Sequence, residues 1–241
     1  YYQPKVNIKN QTICGAEALV RWQRDGKLIS PMQFIPQLER EGSIIKLDYY
    51  MLEEVCRFLR KWMDEGHAPI CISVNFSRKH LDEDDMVEHI VSILDEHGIA
   101  HQYIEIELTE SEDFQNYEIM TNIVNELSEA GIGTSMDDFG TGFSSLNMIK
   151  KLDLKVIKID RSFIPLETDY SGKDKDMIMF CNIVTLLREL GKKTIAEGVE
   201  TQQQLRYLEN AGCDIVQGYV FDKPLCEADF RMRLENGYGS C

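Results

Sequence analysis

The 241-residue sequence has too few basic residues to act through a broadly basic surface. It contains 26 Lys and Arg against 41 Asp and Glu, which gives a formal net charge of −15. Nucleic-acid polymers and anionic membranes are held by Lys and Arg side chains that neutralise phosphate groups. The charge therefore argues against a DNA, RNA or membrane partner, and it suits a metal ion or a cationic partner better.

Long apolar runs and paired cysteines are also missing. No run approaches the roughly 18 apolar residues of a membrane span, and no signal-peptide pattern stands at the start. The 7 cysteines are odd in number and form no CxxC pair, which is typical of reduced thiols in a cytosolic protein. The sequence starts without Met inside an apparent strand. We therefore expect residues 1–241 to be one cytoplasmic domain of a longer polypeptide, whose membrane tethering stays open.

Short apolar or alternating runs, each separated from the next by polar or helical segments, predict the fold class. There are eight such runs, at residues 2–8, 13–22, 70–76, 103–109, 133–137, 156–160, 194–197 and 215–221. Strand alternating with helix over this length fits an α/β protein with a closed (β/α)₈ barrel better than an open doubly wound sheet. Residues 9–12 are too few for a helical crossover, so one barrel strand should be antiparallel.

Amphipathic stripes between these runs predict helices that pack on the barrel. They include Leu52, Val55, Leu59 and Trp62; Val87, Ile90, Val91 and Leu94; Met120, Ile123, Val124 and Leu127; and Met179, Ile183, Leu186, Leu187 and Leu190. We expect all four stripes to face the core. Several helices should end in left-handed caps, at Gly98, Gly131, Gly191 and Gly212.

Polar residues that strands disfavour recur within the runs or just beyond them, at the barrel end that carries active sites. They are Glu17, Asn75, Glu107, Glu110, Asp137, Asp138, Lys158, Glu197 and Gln217. An isolated acidic residue at a strand end is more often a helix N-cap than a catalyst, so the prediction depends on the convergence of seven runs. Alternation places Ser73 and Asn75 on one face, and Glu105 and Glu107 on one face, which predicts a polar barrel interior.

Carboxylates held close together repel one another unless protons or cations separate them. With an amide oxygen they form an all-oxygen ligand set, which suits Mg²⁺, Mn²⁺ or Ca²⁺ rather than zinc. The adjacent Asp137 and Asp138 can bridge two ions, an arrangement that activates water in phosphoester hydrolysis. Lys158 could orient that water, take its proton if its pKa is lowered, neutralise a phosphoryl oxygen, or make only a structural ion pair. A glycosidase is the competing barrel chemistry, but it needs only two carboxylates and no interior lysine, so metal-dependent phosphodiester cleavage is favoured.

Ordered motifs run along the whole chain. They are Tyr2-Gln3-Pro4, Glu17-Ala18-Leu19 with Val20-Arg21-Trp22, Asn75-Phe76-Ser77, Glu107-Leu108-Thr109-Glu110-Ser111, DDFGTGFSS at 137–145, KIDRSF at 158–163, AEGVET at 196–201 and Gln217-Gly218-Tyr219. With them the chain resembles the EAL domain, the family of cyclic di-GMP phosphodiesterases. The resemblance implies a (β/α)₈ barrel with one antiparallel strand. It also implies hydrolysis of cyclic di-GMP to linear 5′-pGpG with two Mg²⁺ or Mn²⁺ ions, whereas Ca²⁺ should bind and support little reaction.

The resemblance also implies a role for individual residues. Glu17, Asn75, Glu107 and Asp137 would hold one ion, and Asp137 with Asp138 would serve the second. Lys158 would position or deprotonate the attacking water, and Glu197 would assist. Glu110 would brace residues 139–145 and link the site to a homodimer interface. Substrate contacts would be made by Gln3, Leu19, Arg21, Glu200 and Gln217.

Catalytically silent members of the family act as cyclic di-GMP receptors and usually lose metal or lysine positions. Every such position is intact here, which favours an active enzyme over a receptor or a purely structural barrel. Mild departures from the family pattern are Leu38, Phe143 and the lengthened segment 165–176, and the last of these leaves the dimer geometry open. A GGDEF or sensory domain is the expected upstream neighbour in the full-length protein, and no DNA or RNA polymer is expected as a partner.

Overall fold

The computed structural model describes residues 1–109, 117–139, 149, 152–164 and 175–238. The predictions made for Glu110, for most of residues 139–145 and 165–176, and for the side chain of Asp138 lie outside the described residues.

Among the described residues, eight strands close into a barrel and two more form a hairpin. The strands are β1 (Tyr2–Asn7), β2 (Ile13–Ala18), β3 (Trp22–Arg24), β4 (Lys27–Ile29), β5 (Cys71–Phe76), β6 (Ile104–Thr109), β7 (Gly133–Phe139), β8 (Val156–Ile159), β9 (Lys193–Glu197) and β10 (Ile215–Gln217). The barrel order is β1-β10-β9-β8-β7-β6-β5-β2, and β3 pairs with β4. Barrel neighbours are parallel except at β1, which is antiparallel to β2 and β10. The predicted α/β barrel with one antiparallel strand is confirmed.

The described helices surround the barrel and cover its apolar outer face. They are α1 (Pro31–Glu41), α2 (Ile44–Asp64), α3 (Met86–Glu96), α4 (Tyr117–Glu129), α5 (Lys175–Glu189), α6 (Gln202–Ala211) and α7 (Glu227–Asn236). Ile104 and Ile106 of β6 are fully buried in the core between sheet and helices, where Leu52 and Leu59 of α2 also lie. The four glycines predicted as helix caps all have positive φ, as expected. None of the helices in the described ranges is long and apolar enough to cross a bilayer.

Three sequence predictions are corrected by the structure. The second run ends at Ala18, because Trp22 belongs to the β3–β4 hairpin and is 43% exposed. The eighth run ends at Gln217 rather than at residue 221. In α5 the residues that are buried are Phe180, Val184 and Leu187, whereas the predicted core residues Met179, Leu186 and Leu190 are exposed. The helix is apolar on two faces, and only one of them packs on the barrel.

Candidate active site

Lys158 lies inside the barrel where four other strands present carboxylates to it. Its side chain is 1% exposed, and β8 carries it into the barrel interior as the alternation of that strand predicts. The Nζ atom is 2.5 Å from Glu107 Oε2, 2.7 Å from Glu197 Oε1, 3.1 Å from Asp137 Oδ1 and 3.4 Å from Glu17 Oε2. The structure therefore brings together five of the residues that the sequence places at strand ends.

Burial and the excess of acidic side chains shift the pKa values of Lys158 and of the carboxylates around it. Burial alone would lower the pKa of Lys158, but the surrounding carboxylates raise it well above its ordinary value. Burial would raise the pKa of Glu107, but Lys158 and Lys5 outweigh that effect and lower it to about 2. Burial also raises the pKa of Glu17, and it raises the pKa of Glu197 to about 8 against the attraction of Lys158. The pKa of Glu107 is thus lowered, whereas the pKa values of Glu17 and Glu197 are raised.

Two side-chain amides donate hydrogen bonds to the carboxylate of Glu17. Asn75 Nδ2 donates to Glu17 Oε1 at 2.8 Å, and Gln217 Nε2 donates to Glu17 Oε2 at 2.5 Å and to Gln3 Oε1 at 3.2 Å. Gln217 Oε1 is buried and accepts no hydrogen bond from the part of the chain that the structure describes. These contacts join β2, β5, β10 and β1, so four strands fix the orientation of one carboxylate.

A second ammonium group lies beside Glu107. Lys5 Nζ is 2.9 Å from Glu107 Oε1 and 2.9 Å from Glu105 Oε1, and it donates to Ser73 Oγ at 2.8 Å. Lys5 is absent from the residues selected on the sequence. The signal that could have found it is its alternation with Gln3 in β1, because inward-facing residues recur at every second position.

A cleft with a volume of about 250 Å³ opens beside Glu17 and Glu197. Among its described lining residues are six that the sequence predicts for the site, namely Gln3, Glu17, Leu19, Glu197, Glu200 and Gln217. Arg161 and Tyr219 also line this cleft. Arg161 lies in the motif KIDRSF and Tyr219 in the motif Gln217-Gly218-Tyr219, but the sequence analysis predicts no role for either residue.

Two glycines shape the cleft wall. Gly198 has a φ of +65°, and a Cβ there would lie 2.7 Å from Arg161 Cβ, so a side chain would displace Arg161. A Cβ on Gly218 would lie 2.2 Å from the backbone oxygen of Val199. The absence of both side chains lets the chain segments that follow β8, β9 and β10 pack together beside Glu197.

Glu200 is held by the start of α6. Its backbone N–H donates to Gln204 Oε1 at 2.9 Å. The same oxygen accepts from Thr201 N–H at 3.1 Å, and Gln204 N–H donates to Thr201 Oγ1 at 3.1 Å, which closes a capping box. The backbone of the exposed Glu200 is thereby held at the rim of the cleft.

Arg21 does not line this cleft. It lines a neighbouring, mostly apolar cleft of about 260 Å³, together with Asn75 and Asp48, and Leu19 borders both clefts. Arg21 Nη1 donates to the backbone oxygen of Val20 at 2.8 Å. The predicted substrate residues are therefore distributed over two adjoining clefts.

The donor set fits a hard divalent cation. Five carboxylates, counting Glu105, share the two ammonium groups of Lys5 and Lys158, and the buried Gln217 Oε1 is an additional oxygen acceptor near Glu17. Within the described ranges, no three His, Cys, Asp or Glu side chains already enclose a metal position, because Lys158 occupies the centre of the carboxylates. Cation binding would therefore have to displace protons or shift the ammonium group.

The chain is similar to known proteins over nearly its whole length. Residues 1–224 match the EAL domain family. The chain is 38% identical over 226 residues to the bifunctional diguanylate cyclase/cyclic di-GMP phosphodiesterase MucR of Pseudomonas aeruginosa, a match that covers 93% of this chain and 33% of MucR. It is 36% identical to the cyclic di-GMP phosphodiesterase NbdA of the same organism, with 93% of this chain and 28% of NbdA covered. The chain thus spans about a third of the length of these relatives.

A solved structure of the MucR phosphodiesterase in complex with c-di-GMP has a similar fold. The TM-score is 0.85 at 37% sequence identity, over 95% of this chain and 92% of the other. The match includes the closed barrel and extends over nearly all of both chains. On the family match and these relatives together, the chain belongs to the EAL domain family.

Proposed function

We propose that this chain hydrolyses one phosphodiester bond of cyclic di-GMP and releases linear 5′-pGpG. The observation that carries the proposal is the convergence of four carboxylates on Lys158 beside an open cleft. The substrate is supported by the relatives, because MucR and NbdA are named cyclic di-GMP phosphodiesterases and the MucR structure holds c-di-GMP.

The same residues would hold two Mg²⁺ or Mn²⁺ ions. Glu17, Asn75, Glu107 and Asp137 would bind one ion, and Asp137 with Asp138 would bind the second. When bound, such ions supply a water of lowered pKa and stabilise negative charge on phosphate oxygens. The all-oxygen donor set and the surplus of carboxylates support this assignment.

Lys158 would position the attacking water rather than deprotonate it. A general base near neutral pH needs a lowered lysine pKa, whereas the carboxylates around Lys158 raise it, so Nζ keeps its proton. The ammonium group can then donate a hydrogen bond and offset phosphate charge. Glu197 is better suited to hold or release a proton, because burial raises its pKa to about 8 and it lies 2.7 Å from Nζ.

The substrate would lie across the two adjoining clefts. Gln3, Glu200 and Gln217 line the cleft beside the carboxylates, Arg21 lines the neighbouring one, and Leu19 stands between them. Arg21 would contact a phosphate of the dinucleotide, since its guanidinium can bind two phosphate oxygens at once. Glu110 would brace residues 139–145.

The decisive experiment incubates the purified protein with cyclic di-GMP and either Mg²⁺ or Mn²⁺ and separates the products by anion-exchange chromatography. Linear 5′-pGpG should accumulate, and EDTA should stop its formation. Binding of cyclic di-GMP with no turnover in either metal would replace the enzyme by a silent receptor. Absence of both binding and turnover would overturn both functions.

We also propose that the protein forms a homodimer through the exposed apolar face of α5. Ile178, Met179 and Leu186 on this helix, and Leu190 just after it, are between 39% and 52% exposed. Such a patch costs free energy in water unless another surface covers it. Sedimentation should show a dimer that Leu186→Glu converts to monomer, and a monomeric wild-type protein would contradict the proposal.

A further inference from the structure

A buried lysine without an assigned role holds one of the proposed metal ligands. Lys5 is 5% exposed, and its Nζ contacts Ser73, Glu105 and Glu107 at 2.8, 2.9 and 2.9 Å. A lysine is rarely buried unless it is paired, because its charge must be taken out of water. The question is whether Lys5 only neutralises Glu105 or also acts on Glu107.

The fold delivers Lys5 to this position through the antiparallel strand. In the β1–β2 register, Gln3 is opposite Glu17 and Lys5 is opposite Gly15, so Lys5 lies one inward-facing layer away from Glu17. The register shifts between Lys5 and Val6, and such an irregularity re-aims a side chain. A Cβ on Gly15 would lie 2.8 Å from the backbone oxygen of Cys71 and 3.9 Å from Lys5 Cδ. Gly15 therefore lets β2 approach the backbone of β5 closely, next to the stem of Lys5.

Glu107 is held at both oxygens. Its Oε1 pairs with Lys5 and its Oε2 pairs with Lys158 at 2.5 Å, while its side chain is 0% exposed. A carboxylate bound by a different ammonium group at each oxygen cannot rotate without breaking one of the two ion pairs. Lys5 thus fixes which oxygen of Glu107 faces Asp137 and Glu17, the other proposed ligands around Lys158.

We propose that Lys5 is a positioning residue that orients Glu107 for cation binding. The inference rests on the proposed function, because it takes Glu107 as a metal ligand. Hydrogen-bond partners behind metal ligands orient those ligands, and their loss typically reduces metal affinity or activity about 10- to 100-fold. No role in contacting substrate is assigned to Lys5.

Orientation and charge neutralisation predict opposite changes in metal affinity. If Lys5 contributed only its charge, its removal would make the site more negative and Mn²⁺ would bind more tightly. If Lys5 orients Glu107, its removal frees the carboxylate and Mn²⁺ should bind more weakly despite the gain in negative charge. The sign of the change in Kd for Mn²⁺ therefore separates the two roles.

The test compares wild-type protein with Lys5→Met and with the double variant Lys5→Met/Glu105→Gln. The double variant loses one positive and one negative charge together, so it keeps the charge balance if Lys5→Met alone does not fold. Lys9→Met, at an exposed lysine just after β1, is the matched control. Circular dichroism confirms folding, and electron paramagnetic resonance of free Mn²⁺ gives Kd independently of turnover.

We expect Kd for Mn²⁺ to rise about 10- to 100-fold in the double variant and to stay unchanged in Lys9→Met. Unchanged or tighter Mn²⁺ binding by the folded double variant would overturn the inference while leaving the proposed function intact. A wild-type protein that binds Mn²⁺ without hydrolysing cyclic di-GMP would instead contradict the proposed function, and the Kd comparison would still decide the role of Lys5.

Discussion

Replacing Lys158 with Met should destabilise the protein strongly unless a divalent cation is present. Methionine keeps an unbranched apolar stem and removes the charge. The side chain is 1% exposed, and its Nζ contacts carboxylates from four other strands. In the variant these carboxylates lose the positive charge at their centre.

The magnitude follows from the loss of a buried partner. Removing one member of a buried ion pair costs about 3–5 kcal/mol of unfolding free energy, because the other charge is left unpaired. For a chain of this length, about 2–4 °C of Tm per kcal/mol converts that loss into roughly 6–20 °C. The pKa values of Glu17 and Glu197 are already raised by burial, the latter to about 8. Such carboxyls stabilise the fold while protonated and lose that contribution as the pH rises through their folded-state pKa, so the loss in the variant should be greatest at alkaline pH.

Thermal unfolding in EDTA and then in Mn²⁺ measures both parts of the prediction. Mn²⁺ should raise the Tm of Lys158→Met more than that of the wild type, because the cation replaces the missing ammonium group. Lys61→Met is the matched control, since the exposed Lys61 pairs at 3.3 Å with the exposed Glu227 and should contribute less than about 1 kcal/mol. A Lys158→Met protein as stable as wild type in EDTA, or one that gains no extra stability from Mn²⁺, would refute the reasoning.

The remaining predictions concern the proposed metal site. Glu17→Ala should abolish hydrolysis of cyclic di-GMP while circular dichroism shows an intact fold, because the substitution removes a proposed metal ligand and little buried apolar surface. A variant as active as wild type would mean that the proposed metal site is misplaced. Mn²⁺ affinity measured by calorimetry should rise by up to about tenfold per pH unit and level off above about pH 8, because a cation bound beside Glu197 favours loss of the proton that the raised pKa leaves on this carboxyl. A flat affinity profile below pH 8 would contradict this prediction. Ca²⁺ should compete with Mn²⁺ for binding and support little hydrolysis, since its looser coordination holds water less strictly; full activity in Ca²⁺ would count against this account.

The barrel could be predicted because each of its strands carries its own apolar run and four of the described helices, α2 to α5, carry an apolar stripe. The errors arise where an apolar residue covers something other than the core. Trp22 extends the second run in sequence, but it belongs to the β3–β4 hairpin and packs edge-on against Phe34 at 5.6 Å. Helix α5 is apolar on two faces, and periodicity alone does not say which face the barrel covers.

The site was predictable to the extent that strand alternation determines which side chains point inward. Glu107, Asp137 and Lys158 meet inside the barrel as expected, because parallel strands end at the same edge. Arg21 lies in a second cleft, since the chain leaves the barrel after Ala18 and its direction there is not encoded by alternation. The sequence does not predict Lys5 as a site residue, because its carboxylate partners come from β6 and the sequence gives no register between distant strands.

The charge of the chain places a condition on how a nucleotide could bind. The net charge of −15 argues against a broadly basic surface, and the cleft beside the carboxylates has Arg161 as its one basic lining residue within the described part of the chain. A dianionic dinucleotide that approached Glu17, Glu197 and Glu200 in this cleft would be repelled if they were ionised. Divalent ions that bind to the carboxylates before or with the substrate would reverse the sign of the local field. The acidity that argues against a nucleic-acid polymer is thus compatible with a small phosphodiester, provided that the cation binds at the site where Lys5 and Lys158 orient Glu107.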